Sequence, residues 1–221
     1  MKSLHPDTLK FLSSLKKNNN KPWFDKHKPE FEQINNAFKE FIDELIFQMR
    51  KVDPQIADLK AKDCVFRIYR DVRFSKDKTP YKSHISAAFG REGRRGKWAG
   101  YYIHIEPGAS FLGGGCWMPE PDELKKIRQE IDYNFIDFKK IVEGKSYKKT
   151  FGTMQGEKMK TIPKDYDKDN PAIEYLKYKS FLSGIDLTNN KAVMAGDFMK
   201  KAISIFKEMK PLIHFLNKAM E

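Results

Sequence analysis

Six of the eight arginines in this 221-residue chain lie between Arg67 and Arg95, and they are the first residues whose type and spacing suggest chemistry. The same stretch holds Lys76, Lys78 and Lys82 against only Asp71, Asp77 and Glu92. It therefore carries +6 of the formal net charge of +12. The planar fork of arginine suits bidentate binding of phosphate or carboxylate, whereas the lysines scattered elsewhere serve mainly to solvate the surface. The expected chemistry is capture of an anion, and a basic patch concentrates such partners without choosing among them.

Extended segments must position these groups. Cys64–Arg70, His84–Phe89, Trp98–Glu106 and Ala109–Trp117 read as strands, with Pro107-Gly108 as a tight turn between the last two. Alternation sends Phe66, Ile68, Ile85, Ala87, Phe89, Tyr101, Ile103 and Ile105 inward. Arg67, Tyr69, His84, Tyr102, His104 and Glu106 are then expected on the opposite face, and a one-residue shift in register would invert the assignment. The connector Arg70–Lys82 is too long for a tight hairpin and too charged for a core. Ser75, Asp77 and Thr79 can shape it by bonding to nearby backbone. Arg73, Lys76, Lys78 and Lys82 would ring the sheet face, with Tyr81 adding a hydrogen-bonding group. The expected ligand set is Arg67, Tyr69, Arg70, Arg73, Ser75, Lys76, Lys78, Tyr81, Lys82, His84 and Tyr102.

The run from Phe66 to Lys82, FRIYRDVRFSKDKTPYK, resembles the bacterial and fungal domain-of-unknown-function family 2461. NNNKPWF at Asn18–Phe24, GYYIHIEP at Gly100–Pro107, GGGCW at Gly113–Trp117 and IPKDYD at Ile162–Asp167 extend the resemblance over nearly the whole chain. It implies membership and transfers no activity or catalytic residue.

Other readings of the same residues remain open. Asp71 and Asp77 can pair with neighbouring arginines, and Glu106 with Arg67, to hold the loop rather than a ligand. His104 and Glu106 on one strand face form an acid-base pair, the basis of an alternative in which the chain is an enzyme acting on a small phosphorylated or carboxylated substrate. With His84 they make a three-ligand metal set geometrically reachable, but the surrounding positive charge disfavours a cation, and neither a metal nor a cofactor is expected. Gly113-Gly114-Gly115 lacks the Lys-Ser/Thr of a phosphate loop and suits a bulge or a close backbone approach. Trp98, after Arg94-Arg95-Gly96-Lys97, is a short basic-aromatic run of the kind single-stranded nucleic acid uses. A third reading is a scaffold whose basic segment docks an acidic protein. No reaction and no oligomeric state is legible.

The chain is 40% hydrophobic and 33% charged, which is enough to bury a core and excludes global disorder. No apolar run approaches the roughly 20 residues that span a bilayer, and Pro6 and Asp7 fall where a signal peptide would be apolar. Two cysteines, Cys64 and Cys116, fit a reducing compartment. The expectation is a cytoplasmic protein with no membrane partner, whose partner is an anionic small molecule or nucleic acid. Helical periodicity appears over Pro6–Lys17, Lys26–Lys51, Pro119–Asp132, Phe135–Glu143 and Asn190–Met220, with a break or kink expected at Pro211. Lys158–Pro163 suggests a short strand, and Asp169–Tyr178 a short helix. The predicted architecture is one α+β domain over residues 1–221. Its central, mostly antiparallel meander, about residues 62–117, packs with the N- and C-terminal helices.

Overall fold

A computed structural model describes residues 1–221. Helix α1 (Thr8–Lys17) buries Leu9, Phe11, Leu12 and Leu15, the face its spacing predicts. The Asn18–Pro22 run ends α1 and also starts another helix. The Asn20 side chain accepts a hydrogen bond from the Trp23 backbone N–H at 3.0 Å, and Pro22 sits in the first turn of α2 (Lys21–Lys26). Pro29 takes the same early position in α3 (Lys28–Met49), which buries Ile34, Phe38, Phe41, Ile42, Leu45, Ile46 and Met49. Each such side chain contributes about 1.5–3 kcal/mol of transfer free energy.

The expected strand at Cys64–Arg70 is corrected. Cys64 closes the short helix α4 (Ala61–Cys64), and the residues after it are extended but pair only through isolated bridges, Val65 with Ala87 and Tyr69 with Tyr81. The Lys82 N–H donates to Ile68 O at 2.8 Å and the Arg70 N–H to Pro80 O at 2.9 Å. Pro80 has no N–H to return a bond, so the ladder fragments there.

The sheet proper comprises β1 (Ile85–Phe89), β2 (Gly100–Ile105), β3 (Ser110–Cys116) and β4 (Phe181–Leu187), all antiparallel in that order. The meander boundary of 62–117 is thus too narrow, since the fourth strand returns from the far end of the chain. Between β3 and β4 lie α5 (Pro121–Tyr133), α6 (Phe135–Val142), α7 (Lys145–Phe151) and α8 (Ile173–Leu176). At Lys158–Pro163 the structure has only a bridge from Lys158 to Tyr178.

After β4 the chain forms α9 (Asn190–Met194) and α10 (Phe198–Met220). The break falls at Ala195–Asp197, not at Pro211, which lies inside an uninterrupted α10. A helix-interior proline costs about 3 kcal/mol. Burial of Met209, Leu212, Ile213 and Leu216 around it offsets that cost. Helix α10 crosses β3 closely: a Cβ on Gly114 would lie 3.0 Å from Met209 Sδ and 3.3 Å from Ile213 Cδ1. One continuous hydrophobic cluster, including Leu4 and Met220, joins these elements. No helix is long and apolar enough to cross a membrane.

Both thiols are buried, and burial pushes the Cys64 and Cys116 pKa values up to about 12. Because the thiolate is the nucleophile, neither cysteine should react with a disulfide reagent such as DTNB at mildly alkaline pH while the chain is folded. Both should react in denaturant. Rapid labelling of the native chain would contradict this.

Candidate functional site

Strand alternation and register build the site. Ser86 stands opposite His104 and Ala88 opposite Tyr102 on the neighbouring strand, while Phe111 and Gly113 flank them from β3. These residues share the face turned away from Ile85, Ala87, Phe89, Tyr101, Ile103 and Ile105, all of which are buried. His104 is held between aromatic groups: its ring stacks on Phe111 at 4.7 Å and lies 4.1 Å from the His84 ring. Its Nδ1 accepts from the Tyr102 hydroxyl at 3.3 Å, and its Nε2–H donates to Glu106 Oε2 at 3.1 Å. The other carboxylate oxygen of Glu106 accepts from Ser83 Oγ at 2.8 Å and from Lys16 Nζ at 3.4 Å.

The protonation states follow from these surroundings. Burial lowers the His84 pKa to about 4, assisted by His104 and Lys82 and opposed by Glu106. Burial also lowers His104, with Glu106 pulling the other way. Burial works against the Glu106 carboxylate, but the hydrogen bonds from His104, Ser83 and Lys16 outweigh it and hold its pKa below the ordinary value. At neutral pH the face presents two uncharged imidazoles and one carboxylate. His84 makes no hydrogen bond with any protein group.

Lys82 stands at the rim. Its ammonium lies 5.2 Å from the centre of the Phe66 ring and has neither a hydrogen-bond acceptor nor a carboxylate partner. Burial, and then the nearby Arg67 guanidinium, lower its pKa. Arg67 is exposed and likewise unpaired. The expected alternation is off by one residue here. Because Val65 bridges Ala87, the next side chain, Phe66, falls on the His104 face, where its ring lies 6.2 Å from Tyr102. Arg67 is displaced outward, and the cation that meets Glu106 is Lys16.

The connector holds itself. Arg70 donates to Asp77, to Thr79 and, at 3.4 Å, to Ser75 Oγ. Arg73 forms a two-pronged pair with Asp71, Nε to Oδ1 at 3.0 Å and Nη2 to Oδ2 at 2.6 Å. Those contacts hold both aspartate pKa values down to about 2: for Asp71 the leading cause is the Arg73 side chain, for Asp77 the Thr79 backbone N–H and then Arg70. Lys78 donates to the Val72 carbonyl at 3.0 Å, and Lys76 is exposed without a partner. Tyr81 is buried and stacks on Phe24 at 4.1 Å, with Tyr69 against the same ring at 6.0 Å. The structure thus brings together Lys82, His84, Tyr102, His104 and Glu106, with Arg67 nearby. It commits Arg70, Ser75, Arg73 and Lys78 to the loop's own bonds and places Tyr69 and Tyr81 in aromatic packing. The sequence reading missed Ser83, which adjoins His84, and Lys16, whose approach from α1 has no local signal. Arg94, read with Arg95, Lys97 and Trp98 as a nucleic-acid element, is engaged as well, and so is the nearby Arg91. Arg94 donates to the Lys62 carbonyl at 2.7 Å, and Arg91 pairs with Glu221 at 2.5 Å and lies over the Trp98 ring at 4.4 Å.

A family model described as "Conserved hypothetical protein (DUF2461)" matches residues 7–215. No curated protein and no solved structure matches the chain.

Proposed function

The chain belongs to the DUF2461 family of conserved hypothetical proteins, and from its geometry we propose that it binds a small phosphate- or carboxylate-bearing molecule on the sheet face beside His84 and His104. The observation that carries this reading is Lys82, a partly buried ammonium with no anionic partner, next to an unpaired guanidinium and two neutral imidazoles. A desolvated cation without a counter-ion is costly, and an incoming anion relieves that cost. Arg70 and Arg73, the residues first expected to grip the ligand, already have carboxylates. Their role in this reading is to shape the connector that presents Lys82 and His84.

The His104–Glu106 pair favours a catalytic extension. Glu106 holds the Nε2–H of a neutral His104, so Nδ1 is the base and a bound hydroxyl or water passes its proton to it through the Tyr102 hydroxyl that donates there, with Lys82 and Arg67 fixing the anionic end of the substrate.

Titration with inorganic phosphate, followed by calorimetry, tests the binding. Lys82→Met keeps the stem beside Phe66 and should weaken affinity by about tenfold or more, the worth of one charge-assisted hydrogen bond. Arg73→Ala should change it by no more than about twofold, because an exposed residue already paired with Asp71 contributes little. Equal affinity in Lys82→Met, or a larger loss in Arg73→Ala, would overturn the assignment.

A further inference from the structure

We propose that His84, His104 and Glu106 form a binding site for one divalent transition-metal ion, of the zinc or cobalt type, which an anionic ligand would complete. The inference rests on the sheet-face binding reading and adds to it the group that would hold the anion's inner end.

One ligand atom from each of the three residues lies within 4.8 Å of the others. A single ion with bonds of about 2.1 Å holds neighbouring ligand atoms about 3.4 Å apart, so a contraction of about 1.4 Å closes the set. Two histidines and one carboxylate with open positions are a recurrent set for such ions. The residues sit on or next to rigid strands, not at a loop tip: His104 is within β2, His84 directly precedes β1 and Glu106 directly follows β2.

Two further observations point to a missing ligand. His84 is partly buried and its ring nitrogens bond to no protein group, which leaves them free for an incoming ligand. The outer supports that a metal site needs are already present. Tyr102 contacts His104 Nδ1, and Ser83 with Lys16 secures one oxygen of Glu106 while the other faces the histidine. On coordination, His104 Nε2 exchanges its hydrogen bond to Glu106 for the ion, its proton resides on Nδ1, and the Tyr102 oxygen accepts it. The tyrosine hydroxyl serves either tautomer.

The positive surroundings noted from the sequence belong to the same arrangement. Glu106 alone cannot balance an ion, Lys16, Lys82 and Arg67, so the open coordination positions favour an anion that spans the metal and Lys82.

The test uses the full chain, free of any affinity tag and stripped with a chelator, titrated with Co²⁺ alone and followed by visible absorption and by equilibrium dialysis. One ion per chain with ligand-field bands is expected. His84→Ala, which removes no hydrogen bond, and Glu106→Gln should each weaken uptake by more than about 100-fold, beyond the roughly 10–100-fold that a supporting residue costs. His27→Ala, whose ring stacks on Trp23 and whose Nδ1 bonds to the Trp23 carbonyl rather than to any of these three residues, should leave it unchanged. Thermal melts of each variant confirm that it is folded. Absence of saturable uptake, or uptake indifferent to His84→Ala and Glu106→Gln in folded protein, would overturn the proposal. The two readings separate cleanly. Phosphate binding to the chelator-treated chain without Co²⁺ uptake would sink the metal site and leave the anion site standing. Co²⁺ uptake without phosphate binding would do the reverse.

Discussion

Gly115→Ala is expected to destabilise the chain by about 3–5 kcal/mol, a large share of the roughly 5–15 kcal/mol that holds a domain together. Gly115 has φ +126°, a conformation that side chains rarely adopt, and a Cβ there would lie 2.0 Å from the Phe181 carbonyl oxygen and 3.1 Å from Leu182 Cα. The obstruction is backbone of the paired strand, which cannot rotate away, so β3 and β4 would have to separate where Gly115 faces Leu182. Strained backbone costs about 1–3 kcal/mol and forced overpacking about 1–3 kcal/mol more. Gly108→Ala is the control: its φ is also positive, at +74°, but a Cβ there meets nothing within 4 Å, so it should lose only the backbone term. Urea unfolding of both variants measures the difference. Gly115→Ala within about 1 kcal/mol of Gly108→Ala would contradict the account, since the difference sought is as large as most single substitutions produce.

The second large effect is expected at Asp53, which is 1% exposed. Its carboxylate accepts from Tyr101 Oη at 2.7 Å, from His214 Nε2 at 3.1 Å and from the Gln55 N–H at 3.2 Å. The first two bonds tie the turn after α3 to β2 and to α10, and the third caps the turn itself. Tyr101 is itself 1% exposed and, by burial and by Asp53, is pushed far above its ordinary pKa, so its hydroxyl remains a donor. Asp53→Ala strands that donor in the core and should cost about 3 kcal/mol. For a chain of this length that corresponds to a fall in Tm of about 6–12 °C. Tyr101→Phe removes the donor without stranding it and should cost about 1 kcal/mol. The double variant Asp53→Ala/Tyr101→Phe should therefore lose less than the two single losses summed. Simple additivity would show that the Tyr101–Asp53 bond is not what Asp53 contributes.

How far the sequence reveals the fold depends on how local each signal is. The stripe Ile34, Phe38, Phe41 and Leu45 shows α3 directly, because helical spacing is a property of neighbouring residues. Alternation and Pro107-Gly108 likewise show β2 and β3. Strand β4 is harder to see: Ser183 and Gly184 interrupt its apolar character, and its partner β3 lies far back in the chain. The error at Phe66 is one of register. Alternation alone turns Phe66 inward, whereas the contact that sets the face is the bridge between Val65 and Ala87. Pro211 shows the limit of propensity, since the buried face of α10 overrides it.

At the candidate site, His84, Tyr102, His104 and Glu106 are legible because they lie on or directly beside adjoining strands with regular alternation. The loop was legible in composition only. Arginine density suggested ligand contacts, while the Asp71 and Asp77 carboxylates within the same few residues satisfy Arg73 and Arg70. Lys16 reaches Glu106 across 90 positions of sequence, a contact that only the packing of α1 creates. Strand alternation alone points to Arg67 in that place.

The proposed anion site is the sheet face and not the arginine loop. Backbone amide spectra of the isotopically labelled chain, recorded during titration with inorganic phosphate, test it most directly. Shifts should concentrate at Lys82–Ser86 and Tyr102–Glu106 and saturate together, with Asp71–Lys78 nearly still. Shifts centred on Arg73, Lys76 and Lys78, or none that saturate, would contradict the claim.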